Sequence, residues 1–185
     1  MNSVISISGP PGSGKSSVAQ MLAAQLGYAL VQYDDFSGLT SATTERVQDW
    51  VLDDMPFEAL FIAEFRENIL ELRASGPVIA ETPLGPLHRV EGLQIDFSIW
   101  LDCDHDIALA RALSKIIEQE TWRSGEELAV WANGYLQSYL EFVARAVRYQ
   151  RKTVMPKCML RLDANAPLED VLGHALDAVR DHMCG

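Results

Sequence analysis

A chain of 185 residues, 48% of them hydrophobic, is sized for one domain with a buried core and is too apolar for a disordered polymer. Its 15 basic and 26 acidic residues leave a net charge of −11, which argues against a surface that coats nucleic acid. A polyanionic ligand must then be held by local positive groups, with the global repulsion screened by salt over about 8–10 Å. Cys103, Cys158 and Cys184 are far apart, the four histidines lack metal-ligand spacing, and no basic-then-apolar leader precedes residue 8. Reduced thiols, no zinc and a cytoplasmic setting are expected. The uncharged run from Leu128 to Leu140 is shorter than the ~20 residues that cross a bilayer, so no membrane association is expected.

Val4-Ile5-Ser6-Ile7 predicts a short buried strand, and Val18, Met21, Leu22 and Leu26 share one face of a helix. Between them lies Gly9-Pro10-Pro11-Gly12-Ser13-Gly14-Lys15-Ser16, with Ser17 next in line. It fits the G-x-x-x-x-G-K-[ST] pattern at every fixed position. Glycines let successive N–H groups turn inward as an anion-binding nest, and the helix start adds partial positive charge. In that pattern Lys15 reaches the β- and γ-phosphates and Ser16 holds Mg²⁺.

Residues 28–33 predict a second strand, ending in Asp34-Asp35-Phe36. Small polar residues 37–44 predict a loop, and helices are expected near 44–54 and 56–74, the second carrying Phe57, Phe61, Phe65, Ile69 and Leu72. Residues 77–81 predict a third strand that ends in Glu81. An irregular or briefly helical segment should follow over 83–93. Residues 97–101 predict a fourth strand, ending in Asp102, and a helix over 105–120 should bury Leu109, Leu113, Ile116 and Ile117. Ser124 and Glu127 read as a capping box that opens a helix to about 150. Its stripe of Leu128, Trp131, Tyr135, Leu136, Tyr139, Val143, Ala146 and Val147 is expected to be core. Residues 158–162 predict a fifth strand, and Pro167 opens a last helix on Leu168, Val171, Leu172, Ala175, Leu176 and Val179.

Strands alternating with helices call for an α/β, three-layer fold with a parallel five-stranded sheet and helices on both faces, over one domain spanning 1–185. Right-handed crossovers bring the strand ends to one edge, so Asp34, Asp35, Glu81 and Asp102 should gather beside the glycine loop. Two acids after the second strand, with no basic residue before Arg46, favour an alcohol as phosphoryl acceptor. A hydroxyl acceptor gains from a carboxylate base, whereas a phosphate acceptor needs arginines. Asp34-Asp35 could equally form a solvated acidic turn, a helix cap or a water-mediated Mg²⁺ contact. Glu81 is either a Mg²⁺ or substrate ligand or a strand-end cap, and Asp102 is expected to cap a helix. Residues 111–124 are the candidate lid, with Arg111, Lys115 and above all Arg123 as its cations. Arg145, Arg148, Arg151 and Lys152 form a second basic cluster, expected to be solvated.

At these residues the chain resembles the P-loop nucleoside kinases of the uridine kinase and nicotinamide riboside kinase type, with pantothenate kinase and phosphoribulokinase as relatives. The resemblance rests on the loop, on Asp34-Asp35-Phe36, on Glu81 and on the 111–124 segment. It implies the P-loop NTPase fold, ATP and Mg²⁺ as cofactors, and γ-phosphoryl transfer to a hydroxyl of a nucleoside-like small molecule. By the same resemblance Lys15, Asp34, Asp35 and Arg123 would be catalytic, with Asp34 activating the acceptor, and Ser16 and Glu81 would serve the metal. Residues 163–167 would lie against the adenine. The chain departs from the family in having Glu81-Thr82-Pro83 for Glu-Gly and an arginine-poor 110–115 stretch. Nucleoside monophosphate, shikimate or gluconate kinases and a non-kinase nucleotide switch are the alternatives.

Overall fold

The computed structural model describes residues 2–36, 49–50, 52–53, 56, 60–88 and 92–184. The expected loop over 37–44 and most of the helix expected near 44–54 lie outside the described residues, as do Arg46 and Phe57. Five strands, β1 (Val4–Ser8), β2 (Ala29–Gln32), β3 (Val78–Glu81), β4 (Phe97–Asp102) and β5 (Leu160–Asp163), form one sheet in the order β2-β3-β1-β4-β5. Every pairing is parallel. The helices are α1 (Lys15–Leu26), α2 (Ala63–Ser75), α3 (His105–Gln119), α4 (Gly125–Ser138), α5 (Ala144–Thr153) and α6 (Leu168–Cys184).

The strands read as apolar runs because both faces of the sheet are covered. Successive residues point to opposite faces: Val4, Val78 and Ala80 join a core with Tyr33, Phe65 and Ile69, while Ile5, Ile7 and Ile79 join one with Val18, Leu22, Val171 and Val179. Thus α2 covers one face and α1 and α6 the other, which is the three-layer α/β arrangement. The central β1 is reached by crossovers from either side, so its C-terminal end marks the point where the strand order reverses. That edge is where such sheets take ligands.

Several elements depart from the sequence expectation. The second strand is shorter, because Tyr33–Asp35 turns as a 3-10 helix. Helix α2 begins at Ala63 rather than near 56, with no side chain capping it, and Phe61 precedes it, packed on His88 at 5.6 Å between ring centres. Helix α3 buries only Ala108; Leu109, Leu113 and Ile116 are half-buried and Ile117 is exposed. The expected core stripe after Ser124 fails over its first half, since no residue of Gly125–Ser138 is buried. There Trp131 packs against Trp122 and Tyr135 with ring centres 5.1 and 5.4 Å apart and the rings tilted, so the aromatics cover each other instead of the sheet. The long helix is also broken by a π-helical segment, Tyr139–Val143, and burial resumes only at Ala144 and Val147. Ser124 does cap α4, its Oγ accepting from Glu127 N–H at 3.1 Å, while the Glu127 carboxylate accepts from Arg123 N–H at 2.7 Å.

Candidate active site

The glycine loop leaves β1 after Ser8 and enters α1 at Lys15. Two of its glycines are demanded by space or conformation. Gly12 has φ +82°, and a Cβ there would lie 1.9 Å from Ala108 O, because α3 presses directly on the loop. Gly14 caps α1 in the left-handed region, with φ +85° and open space beside it. A turn bond from Ser13 N–H to Pro10 O (3.1 Å) closes the curl. Helix α1 begins with no side-chain cap and no acid in its first turn, so its leading N–H groups and partial positive charge stay available to an anion. Ser13 is buried with its hydroxyl oxygen unpartnered inside this cradle. The donor set fits a phosphate chain.

Glu81 stands at the end of β3, in register with Ile7 of β1 and Gln32 of β2. That placement delivers a carboxylate, only 2% exposed, to the loop's mouth. It accepts from Ser16 Oγ (3.2 Å) and Gln32 Nε2 (2.9 Å) and pairs with Lys15 Nζ at 3.4 Å. Gln32 is oriented in turn by Gln20, whose Nε2 donates to Gln32 Oε1 at 3.2 Å. Lys15 thus rests on Glu81, with 18% of its side chain still accessible. Ser16 and Glu81, a hydroxyl and a carboxylate in contact, are oxygen donors of the kind Mg²⁺ takes. Among the described residues no cluster of three or more acids, histidines or cysteines could hold a metal ion. A hydroxyl and one carboxylate fit a Mg²⁺, which usually takes only one or two protein carboxylates and keeps several waters.

A cleft of about 440 Å³ opens from this point. Gly9, Pro11, Lys15 and Glu81 form its phosphate end, and Asp34 lines it too. Asp35 is exposed and does not line it. The rest of the wall is Tyr33, Trp50, Leu60, Pro83, Phe142, Val143, Ala146, Val147 and Gln150. Tyr33 is fixed by donating its OH to Leu60 O at 2.9 Å. Behind it His88 is completely buried, hydrogen-bonded through Nδ1 to Thr82 Oγ1 (2.9 Å) and ringed by Phe65, Phe61 and Tyr33. Burial pushes its pKa down to about 4, so it is neutral at pH 7.

A second cavity, about 250 Å³, lies on the other side of the loop between Ser13, Gly14, Ser17 and Val18 and the turn after β5. Ala164, Ala166 and Leu168 supply that turn's wall. Arg111 also lines it, and donates to Ala164 O (2.6 Å) and Asn165 O (3.4 Å).

The structure thus gathers Gly9 to Ser16, Asp34 and Glu81 at one edge, with Ser17 on the second cavity. Other residues lie elsewhere. Residues 111–119 belong to α3 and 120–124 to the turn before α4, where Arg123 is exposed and lines neither cavity. Asp102 does not cap a helix as expected; it forms an ion pair with Arg151 (2.9 Å), accepts from Arg161 Nε (2.9 Å) and ties α5 and β5 to β4. Arg151 also donates to Cys103 O, so it is an ion-pair partner rather than a solvated cation, unlike the exposed Arg145 and Arg148. The residues missed in the sequence are Gln32, Gln150 and the cleft face of α5. Val143, Ala146, Val147 and Gln150 fall at helical spacing, but the first three read as core because nothing local says that the facing space is a cleft.

A glycine loop at the end of β1, an acid at the end of β3 and this strand order define a P-loop NTPase fold. A family model described as "AAA domain" matches residues 5–131, and the chain belongs to that family. A gluconokinase from Sinorhizobium meliloti 1021 has a similar structure, with TM-score 0.53, 16% identity and coverage of 97% of this chain and 93% of that one. A sugar kinase from Janibacter sp. HTCC2649 is similar with TM-score 0.50, 19% identity and coverage of 95% and 92%. Among curated proteins, threonine synthase-like 1 of Pongo abelii is 26% identical over 145 residues, 74% of this chain. The chain spans about a fifth of that relative's length, 19%. The subfamily expected from the sequence, uridine kinase or nicotinamide riboside kinase, is not singled out by these likenesses. Among the described residues no helix is long and apolar enough to cross a membrane.

Proposed function

We propose that this chain is an ATP-dependent small-molecule kinase that transfers the γ-phosphoryl group to a hydroxyl of a nucleoside-like acceptor. The observation that carries this is that Asp34 lines the same cleft as Lys15 and Glu81, which supports a role for its carboxylate towards an acceptor bound there. The loop and the start of α1 hold the triphosphate, with the nucleoside end in the cavity formed with Ala164, Ala166 and Arg111. Lys15 leaves Glu81 for the phosphate oxygens, and its charge offsets that developing on the transferred group. Ser16 and Glu81 would hold a Mg²⁺ directly or through water, and the ion would supply neutralisation of phosphate charge there. Asp34 accepts the acceptor's hydroxyl proton and orients the oxygen in line. Arg123 reaches the phosphates in this reading only by movement of the 120–124 turn. The kcat of Arg123→Ala, expected to fall while the KM for ATP holds, measures that contribution.

The kinase structures with similar folds support a phosphotransferase, and the pairing of loop and carboxylate favours a hydroxyl over a phosphate as acceptor. The test is ADP release from Mg-ATP over a panel of nucleosides, vitamins, sugars and nucleoside monophosphates, repeated with Asp34→Asn. The expected result is turnover reduced by roughly 10²–10⁴, with ATP affinity kept within a few-fold. Unchanged turnover removes Asp34 from the mechanism. ATP bound with no acceptor phosphorylated marks a nucleotide-dependent switch instead.

A further inference from the structure

We infer that the acceptor is an uncharged alcohol with an apolar body of aromatic size, and that carboxylate- or phosphate-bearing acceptors are rejected. This inference rests on the kinase reading above and concerns the far end of the same cleft. Among the described lining residues Lys15 is the only cation, and it is committed to Glu81 or to phosphate. The charged group left facing an acceptor is Asp34. An anionic acceptor would meet like charge and, among the described residues, find no basic partner lining the cleft, which a buried carboxylate or phosphate needs.

The way α5 is turned makes this exclusion specific. The helix and its end carry Arg145, Arg148, Arg151 and Lys152, yet its cleft face is Val143 at its N-cap, then Ala146, Val147 and Gln150. Arg145, Arg148 and Lys152 are exposed off that face, and Arg151 is bound to Asp102 and Cys103 O. A strongly basic helix thus offers the cleft three aliphatic side chains and one neutral amide. Gln150 is held there by donating to Pro83 O at 3.3 Å. Trp50, its indole N–H donating to Pro56 O (2.9 Å), adds a flat apolar wall opposite. A largely apolar pocket with a few fixed polar groups suits a rigid ring that carries a hydroxyl towards Asp34.

The test compares matched pairs on the intact chain: phenylpropanediols with the corresponding aryl hydroxy acids, and nucleosides with their monophosphates. Binding is read by calorimetry and phosphorylation by ADP release with Mg-ATP. The neutral member of each pair is expected to bind and to show kcat/KM at least about tenfold above its anionic partner, a difference of the size that one unpaired charge imposes. Ala146→Lys, which adds a cation to the cleft face, is expected to shift that ratio about tenfold towards the anion. Preference for the anionic members in wild type overturns the inference and leaves the kinase reading standing. Tight neutral binding without phosphorylation upholds the inference and overturns the kinase reading. No binding of either member overturns the inference.

Discussion

The two ends of the main cleft are assembled in contrasting ways. The end where we propose phosphate binds is lined by Gly9, Pro11 and Lys15 of one short loop, with Glu81 as the principal outside contributor. The end where we propose the acceptor sits draws Asp34 from the turn after β2, Leu60 from before α2, Pro83 from after β3 and Val147 from α5. Backbone amides in a tight curl recognise any phosphate, so one short motif suffices. Side chains brought from separate elements recognise one shape, so each can be exchanged without disturbing the others. The comparison predicts that damage at the phosphate end removes activity on every acceptor, whereas damage at the other end changes which acceptor is used.

The largest effect is expected at Lys15. Lys15→Ala should lower turnover roughly 10²–10³-fold on all acceptors alike, as loss of one fixed positive group aimed at developing charge does. Steady-state kinetics over the acceptor panel checks this, and a loss confined to one acceptor would show that Lys15 serves that acceptor rather than the phosphates.

Next comes His88, which backs the acceptor end. Burial holds its pKa at about 4 in the folded chain, against 6.5 for an ordinary histidine. The unfolded chain therefore takes up a proton at a pH where the folded chain does not. The stability it contributes is complete above pH 6.5, drains as pH falls towards 4, and is flat below that. The whole window is worth about 3 kcal/mol. Urea unfolding at several pH values should show that loss in wild type, and a shallower pH slope in His88→Phe. An equal slope in the two would show that His88 is protonated without penalty.

Within the loop, Gly12→Ala and Gly14→Ala separate steric from conformational demand. Both positions have positive φ, but only Gly12 faces a backbone atom. Gly12→Ala should cost about 2–3 kcal/mol and Gly14→Ala about 1 kcal/mol in chemical unfolding, from the strain of a left-handed alanine with and without a clash. Equal losses would show that α3 yields at Ala108. The smallest effect belongs to Asp35, exposed and outside the cleft: Asp35→Asn should leave kcat/KM within about twofold, as exposed substitutions generally do. A large fall would exchange its role with that of Asp34.

The five strands, their parallel order and the phosphate loop were legible because each is written in a few adjacent residues: apolar runs between turn signals, and glycines where the backbone must curl. The acid at the end of β3 was legible by the same logic, since parallel strands send their C-terminal ends to one edge. The stripe after Ser124 was not. Trp131, Tyr135, Val143 and Val147 have helical periodicity alike, yet Trp131 packs between Trp122 and Tyr135 away from the sheet, and the last two wall a cleft. Periodicity reports that a helix has an apolar side and is silent on what that side meets. Asp102 misled for a related reason: an acid beside a helix start has a local partner available, and the arginines that claim it, Arg151 and Arg161, come from elements far along the chain.

From sequence alone, then, came the site's phosphate chemistry, because backbone curvature and strand-end position are set by local steric rules and by the handedness of crossovers. Tertiary structure alone put Asp34 and not Asp35 on the cleft, turned the arginines of α5 away from it and gave Glu81 its three partners. Each of those outcomes depends on which distant elements meet, and such meetings are fixed only when the whole core packs.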